Sequence, residues 1–130
     1  MPIRISHLDH FVLTVADIGR TCDFYESVVG MRRALFGEGR VALHFGNQKI
    51  NLHQADMPVD PNVRHATPGA ADLCFITMTP IEDVVDALNE AGVPIIAGPD
   101  ERAGARSRLM SVYFYDPDEN LIEVANEVGR

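Results

Sequence analysis

A strand-like hexapeptide, His10-Phe-Val-Leu-Thr-Val15, has a patterned counterpart 62 positions later in Asp72-Leu-Cys-Phe-Ile-Thr77. Both lead into a helix-capping residue, Asp17 and Thr79, and both following helical patterns stop at a glycine, Gly30 and Gly92. A repeat of this length restricts the chain to folds built from two copies of one supersecondary unit. The ends of the copies also match: Ile50-Asn-Leu-His53 aligns with Asn120-Leu-Ile-Glu123 at an offset of 70. The extra residues are assigned to the loop around Gly98 to Ser107, where insertions cost little.

Within the first copy, a strand over about 8–15 precedes a helix whose Ile18, Cys22, Tyr25 and Val29 recur at helical spacing. Three short strands follow, at about 31–36, 40–45 and 49–53, separated by Gly37-Glu-Gly39 and Gly46-Asn47. A polar stretch, about 56–69, carries Pro58, Pro61 and Pro68 and reads as a linker. The second copy begins near 70 and runs to about 127. Its helix has Thr79 as expected N-cap, Pro80 at the first helical position and Glu82 completing a capping box. Strands are expected at about 93–97, 109–115 and 121–125, the last two joined by the turn Asp116-Pro-Asp-Glu-Asn120. The fold class is therefore α+β, with βαβββ occurring twice.

At 130 residues with 46% apolar composition, the chain has enough material for a core. Its 19 acidic against 11 basic residues leave a net charge of -8 that repels phosphate backbones, so nucleic acid is excluded as a partner. No apolar run reaches the roughly 20 residues that span a bilayer, and the polar amino terminus does not read as a signal peptide. A cytoplasmic protein without a membrane partner is expected. Cys22 and Cys74 both sit in apolar patterns and read as small buried thiols rather than a disulfide.

The repeat places His10 and Asp72 at equivalent first-strand positions, and His53 and Glu123 at equivalent last-strand positions. All four are metal-capable. Lys49 and Asn51 share a strand face with His53, since side chains two apart point the same way. Arg102, Arg106 and Arg108 gather in a loop with glycines at 98 and 104, a lid able to receive an anion. Phe114 is expected where His44 lies in the first copy, whereas His7, His44 and His65 read as solvent-facing.

Leu8-Asp-His10-Phe-Val-Leu-Thr-Val-Ala-Asp17, Phe24-Tyr25 before Val29-Gly30, and Asp116-Pro-Asp-Glu-Asn-Leu-Ile-Glu123 together give the chain its resemblance to the vicinal oxygen chelate superfamily of glyoxalases, bleomycin resistance proteins and extradiol dioxygenases. It particularly resembles the short members of the glyoxalase-domain-containing protein 5 type. The resemblance implies paired βαβββ modules whose curved sheets border a cleft. It implies one divalent ion, Zn, Ni, Mn, Co or Fe, held by His10, His53, Asp72 and Glu123, with Asp72 or Glu123 as base. Lys49, Asn51, Arg106, Arg108 and Phe114 are the expected substrate contacts. Short members pair as homodimers, so each cleft would draw His10 and His53 from one chain and Asp72 and Glu123 from the other. The expected activity is a glyoxalase-like lyase or isomerase acting on a small oxygen-chelating anion. The alternatives are an Fe(II) extradiol ring-cleaving dioxygenase and a non-catalytic antibiotic-binding protein of the bleomycin-resistance type.

Overall fold

The computed structural model describes residues 1–129 and divides into two compact units, Met1–Thr67 and Pro68–Arg130. In the first, β1 (His10–Val15) leads through α1 (Ile18–Ser27) to β2 (Arg32–Phe36), β3 (Arg40–Phe45) and β4 (Gln48–Gln54). In the second, β5 (Asp72–Ile76) leads through α2 (Ile81–Glu90) to β6 (Ala97–Ala103), β7 (Arg108–Tyr115) and β8 (Leu121–Gly129). The sheets have orders β1-β4-β3-β2 and β5-β8-β7-β6. Each is thus a βαβββ unit whose last strand is inserted beside its first, parallel to it, while the remaining pairings are antiparallel.

Period-2 patterning fixes which face of each sheet is core. In unit 1 the rungs Leu13↔Leu52 and Leu43↔Ile50 place buried aliphatics on one face, and α1, which contributes the buried Thr21, Cys22 and Tyr25, packs on this sheet. In unit 2 the rungs Val112↔Val124 and Phe114↔Ile122 do the same, with Ile81 and Leu88 buried from α2. Asp17 caps α1 as expected, its Oδ1 accepting the Arg20 N–H at 2.9 Å. Gly30 and Gly92 follow the two helices with φ of 75° and 70°.

Several expectations are corrected. Helix α2 is capped by Pro80 in an extended conformation without a side-chain cap, and the Thr79 N–H instead turns to Thr77 Oγ1 at 3.1 Å. The strand expected at 93–97 lies at Ala97–Ala103, so the first part of the stretch read as a lid is β6, laddered antiparallel to β7 with a bulge between Ala97 and Asp100, and only 104–107 remain as a loop. Gly98 is what permits that approach: at φ 88° an added Cβ would lie 2.2 Å from the Ser111 carbonyl oxygen. Of the cysteines, only Cys22 is buried; Cys74 is exposed, and both are free.

Candidate functional site

The face of each sheet opposite its apolar core carries the polar chemistry. In unit 1 the parallel register His10↔Lys49, Val12↔Asn51 and Thr14↔His53, continued by His44↔Lys49 on β3, puts His10, His44, Lys49, Asn51 and His53 on one face. In unit 2 the rungs Cys74↔Glu123 and Tyr113↔Glu123 make Glu123 the centre of the corresponding face.

These registers correct the pairing read from the sequence. With β1 matched to β5 at 62, Val12 answers to Cys74, and the residue across from each is Asn51 in one unit and Glu123 in the other. The last strands therefore correspond at 72, not 70, and the counterpart of His53 is Ala125. The signal was present: Ile50-Asn51-Leu52 and Ile122-Glu123-Val124 share one apolar-polar-apolar triplet. By the same registers Tyr115, not Phe114, answers to His44. Phe114 is 1% exposed on the core face, which removes it from the substrate contacts.

Of the three histidines on the first face, His10 and His53 have Nδ1 engaged. The exposed His10 sets Nδ1 2.8 Å from Asp9 Oδ2, and this hydrogen bond holds the Asp9 carboxyl below its usual range. His53, buried at 5% exposure, sets Nδ1 3.2 Å from Asn62 Oδ1. Its Nε2 is buried and has no hydrogen-bond partner, and the same holds for Oδ1 of Asn51, also 5% exposed. Such orphaned acceptors are uncommon because each forfeits its hydration without return. Lys49 lies over the Phe36 ring at 3.7 Å, which anchors its charge on this face.

Glu123 is placed by the motif that precedes it. Asp116 and Asn120 are both buried, and Asp116 Oδ1 accepts the N–H groups of Asp118 and Asn120 at 2.9 Å each, while its Oδ2 accepts the Asn120 amide at 2.8 Å. Asn120 Oδ1 then accepts the Ala71 N–H at 2.9 Å. One turn thereby fixes the starts of β5 and β8, hence Cys74 against Glu123. Asn120 escaped the sequence reading as a positioning residue because its partner Ala71 is 49 positions away.

Cys74, Ile76, Leu109 and Glu123 line a cavity of about 360 Å³, with Ala103 to Arg106 and Glu127 completing its wall. Desolvation pushes the Cys74 thiol up to about 11, even though the residue as a whole is exposed, and the charge and hydrogen bonding of Glu123 add to it. Tyr113 is raised first by burial; hydrogen bonding to Glu123 adds to this, and the hydrogen bond from Arg102 to its hydroxyl opposes it. Both shifts favour the protonated thiol and phenol beside Glu123, which works against a nucleophilic Cys74 thiolate.

Asp72 is exposed and stands across from Leu121, one alternation before the Cys74–Glu123 rung. The arginines do not form a free cationic cluster. Arg106 is paired two-pronged with Glu127 at 2.7 and 2.8 Å, Arg108 with Glu101, and Arg102 with the Tyr113 hydroxyl at 3.2 Å. Each guanidinium thus has a carboxylate or hydroxyl partner, and Arg106 at the same time lines the cavity that holds Glu123.

The model of the Glyoxalase/Bleomycin resistance protein/Dioxygenase superfamily matches residues 7–124. The chain belongs to that superfamily. It is 53% identical over 124 residues to virulence protein STM3117 of Salmonella typhimurium, covering 95% of this chain and 86% of that protein. It is 43% identical to glyoxalase domain-containing protein RDO1 of Mycosarcoma maydis, over 95% of this chain and 70% of that one. Among solved structures, an integron cassette protein from the mobile metagenome of V. cholerae superposes with a TM-score of 0.95 at 52% identity, covering 97% and 98% of the two chains. Glyoxalase superfamily proteins bind small molecules, typically use a divalent metal, and often dimerise.

As donors, His10 and His53 fit that chemistry, because a ring whose Nδ1 is held by an oxygen presents Nε2 as the free lone pair. Glu123 fits as an acceptor-only carboxylate. Asn51, the counterpart of Glu123, offers only a neutral amide oxygen. Among the described residues no three His, Cys, Asp or Glu side chains form one cluster that would hold an ion. Neither helix is long and apolar enough to cross a membrane.

Proposed function

We propose that this superfamily member is a glyoxalase-like lyase or isomerase dependent on one divalent ion, acting on a small anionic substrate with neighbouring oxygens. The observation that carries this reading is Glu123: a half-buried carboxylate at a cavity with apolar walls, beside a thiol and a phenol whose pKa values are both raised. A carboxylate so placed takes a proton from a carbon acid or binds an ion, while Ile76 and Leu109 exclude water from the apolar part of a ligand. His10, His53 and Glu123 are the proposed ion donors, with Asp72 in a lesser role. The ion would supply electrophilic stabilisation of an oxyanion. Lys49 and Asn51 are the proposed contacts to the substrate's oxygens, and the active form is proposed to be a cytoplasmic homodimer.

The test is an anaerobic assay with the thiohemiacetal of glutathione and each of Zn²⁺, Ni²⁺, Mn²⁺ and Co²⁺ in turn. Isomerisation that is lost in Glu123→Gln supports the reading. Turnover only of a catechol, with ferrous iron and oxygen, would replace it with ring cleavage. Mixing His10→Ala with Glu123→Ala chains checks the dimer: in a shared-site dimer, activity returns in the mixture because some sites carry neither defect.

A further inference from the structure

The stretch 56–69 reads from its prolines as a linker, yet Asn62 within it reaches the most deeply buried histidine of the chain. Asn62 Oδ1 lies 3.2 Å from His53 Nδ1 and also accepts the Val63 N–H at 2.8 Å. A backbone N–H can only donate, so the atom it meets on Asn62 is the oxygen. The His53 nitrogen facing that oxygen must then carry the ring proton, and the proton is on Nδ1. In the neutral ring Nε2 is therefore a bare lone pair, and it is this atom that lies buried without a partner. Two residues earlier on the same strand face, Asn51 Oδ1 is a second buried acceptor without a partner.

From this geometry we infer that Asn62 is a positioning residue, which locks His53 in the Nδ1–H tautomer and so keeps the Nε2 lone pair available to the bound group. The group it serves is electron-pair accepting: an ion, or a donor hydrogen of the substrate. Without Asn62 the proton is free to move to Nε2, where it blocks ligation and turns an acceptor into a donor. The inference rests on the proposed reading only in that His53 faces the ligand; the tautomer itself is a property of the ligand-free chain.

The experiment is long-range ¹H–¹⁵N correlation NMR of the imidazoles, at a pH where the rings are neutral, with His53→Gln assigning the signals. The native chain is expected to show His53 as a single tautomer with Nε2 unprotonated. Asn62→Ala should lose that signature, and Asn62→Asp, which keeps the acceptor oxygen, should restore it. A native chain with the proton on Nε2, or an unchanged tautomer in Asn62→Ala, overturns the inference. Calorimetric titration with Zn²⁺ alone adds the second readout, where Asn62→Ala is expected to bind about 10- to 100-fold more weakly. A tautomer that follows Asn62 while Zn²⁺ affinity stays fixed leaves the positioning role standing and removes His53 from the proposed ion donors, so the two claims fail separately.

Discussion

The two units share one chain path and differ in what they place on the face opposite the core. Unit 1 presents acceptors and a cation: His10, Asn51, His53 and Lys49, with Val12 between them. Unit 2 presents the Glu123 carboxylate, with Cys74, Ile76, Tyr113 and Ala125 around it. Duplication preserves the rungs, because a one-residue slip would turn the apolar set out of the core. It leaves the outward residues free to diverge, so the same rung holds Asn51 in one copy and Glu123 in the other. The backbones differ in the same sense. Glycines 30, 39 and 46 of unit 1 have room for a Cβ, whereas a Cβ added at Gly69 or Gly98 of unit 2 would lie 2.5 or 2.2 Å from a backbone carbonyl oxygen.

If the functional asymmetry is real, the largest effect belongs to Glu123. Glu123→Gln should lower turnover about 10²- to 10⁴-fold, the range for loss of a proton-transferring group, with the thermal midpoint nearly unchanged. An equal loss from Asn51→Ala would show instead that the two rungs remain equivalent.

Asn51→Glu tests the comparison in the other direction by giving both rungs a carboxylate. Position 51 is 95% buried, so the new charge should destabilise the ion-free chain by about 3 kcal/mol, and Zn²⁺ should restore part of that. Differential scanning calorimetry with and without the ion reads both effects.

Gly98→Ala should cost about 2–3 kcal/mol and lower the midpoint by roughly 10 °C, because a positive φ and a backbone clash coincide there. Gly30→Ala meets nothing within 4 Å and should cost only about 1 kcal/mol, for its φ alone. Similar losses at the two sites would remove the backbone part of the contrast.

The smallest effect is one in which the units agree. Glu26 is held below the usual glutamate range by hydrogen bonds from the Arg33 backbone and side chain, and Glu127 by those from Arg106. A folded-state value below the unfolded one gives stabilisation that is complete above the ordinary glutamate range and is lost as pH falls through the folded value. Glu26 is half-buried and Glu127 exposed, and both pair with exposed arginines, so the change should be slight. Carbon-detected NMR titration should show each carboxyl returning toward its ordinary value in Arg33→Ala and Arg106→Ala respectively.

What the sequence revealed and what it hid divide along physical lines. Local signals held: Asp17 caps α1, the strands of unit 1 fall within about two residues of their expected places, and the repeat gives βαβββ twice. Pairings across the chain were out of reach. The offset of 70 rather than 72 arose because β-register is set between strands about 40 and 50 residues apart, not by spacing along one strand. The arginines at 102, 106 and 108 looked like a free cluster because their partners Glu101, Tyr113 and Glu127 lie on neighbouring strands. Phe114 was misplaced by that same register error. The positioning roles of Asn62 and Asn120 gave no cue because they run through hydrogen bonds to His53 and Ala71, 9 and 49 positions away.

The strand order has a consequence in time. In each sheet the strand made last, β4 or β8, lies inside the sheet beside the strand made first. On the ribosome neither unit can close until its final strand has emerged, so a chain that ends before residue 121 leaves β5 and β7 without the strand that joins them. At roughly 5–20 residues per second, unit 1 has several seconds in which its own pairings are available before β8 exists. His53 and Asn62 can therefore meet while Glu123 is still untranslated, and the half of the molecule rich in lone pairs is assembled before the half that carries the acid.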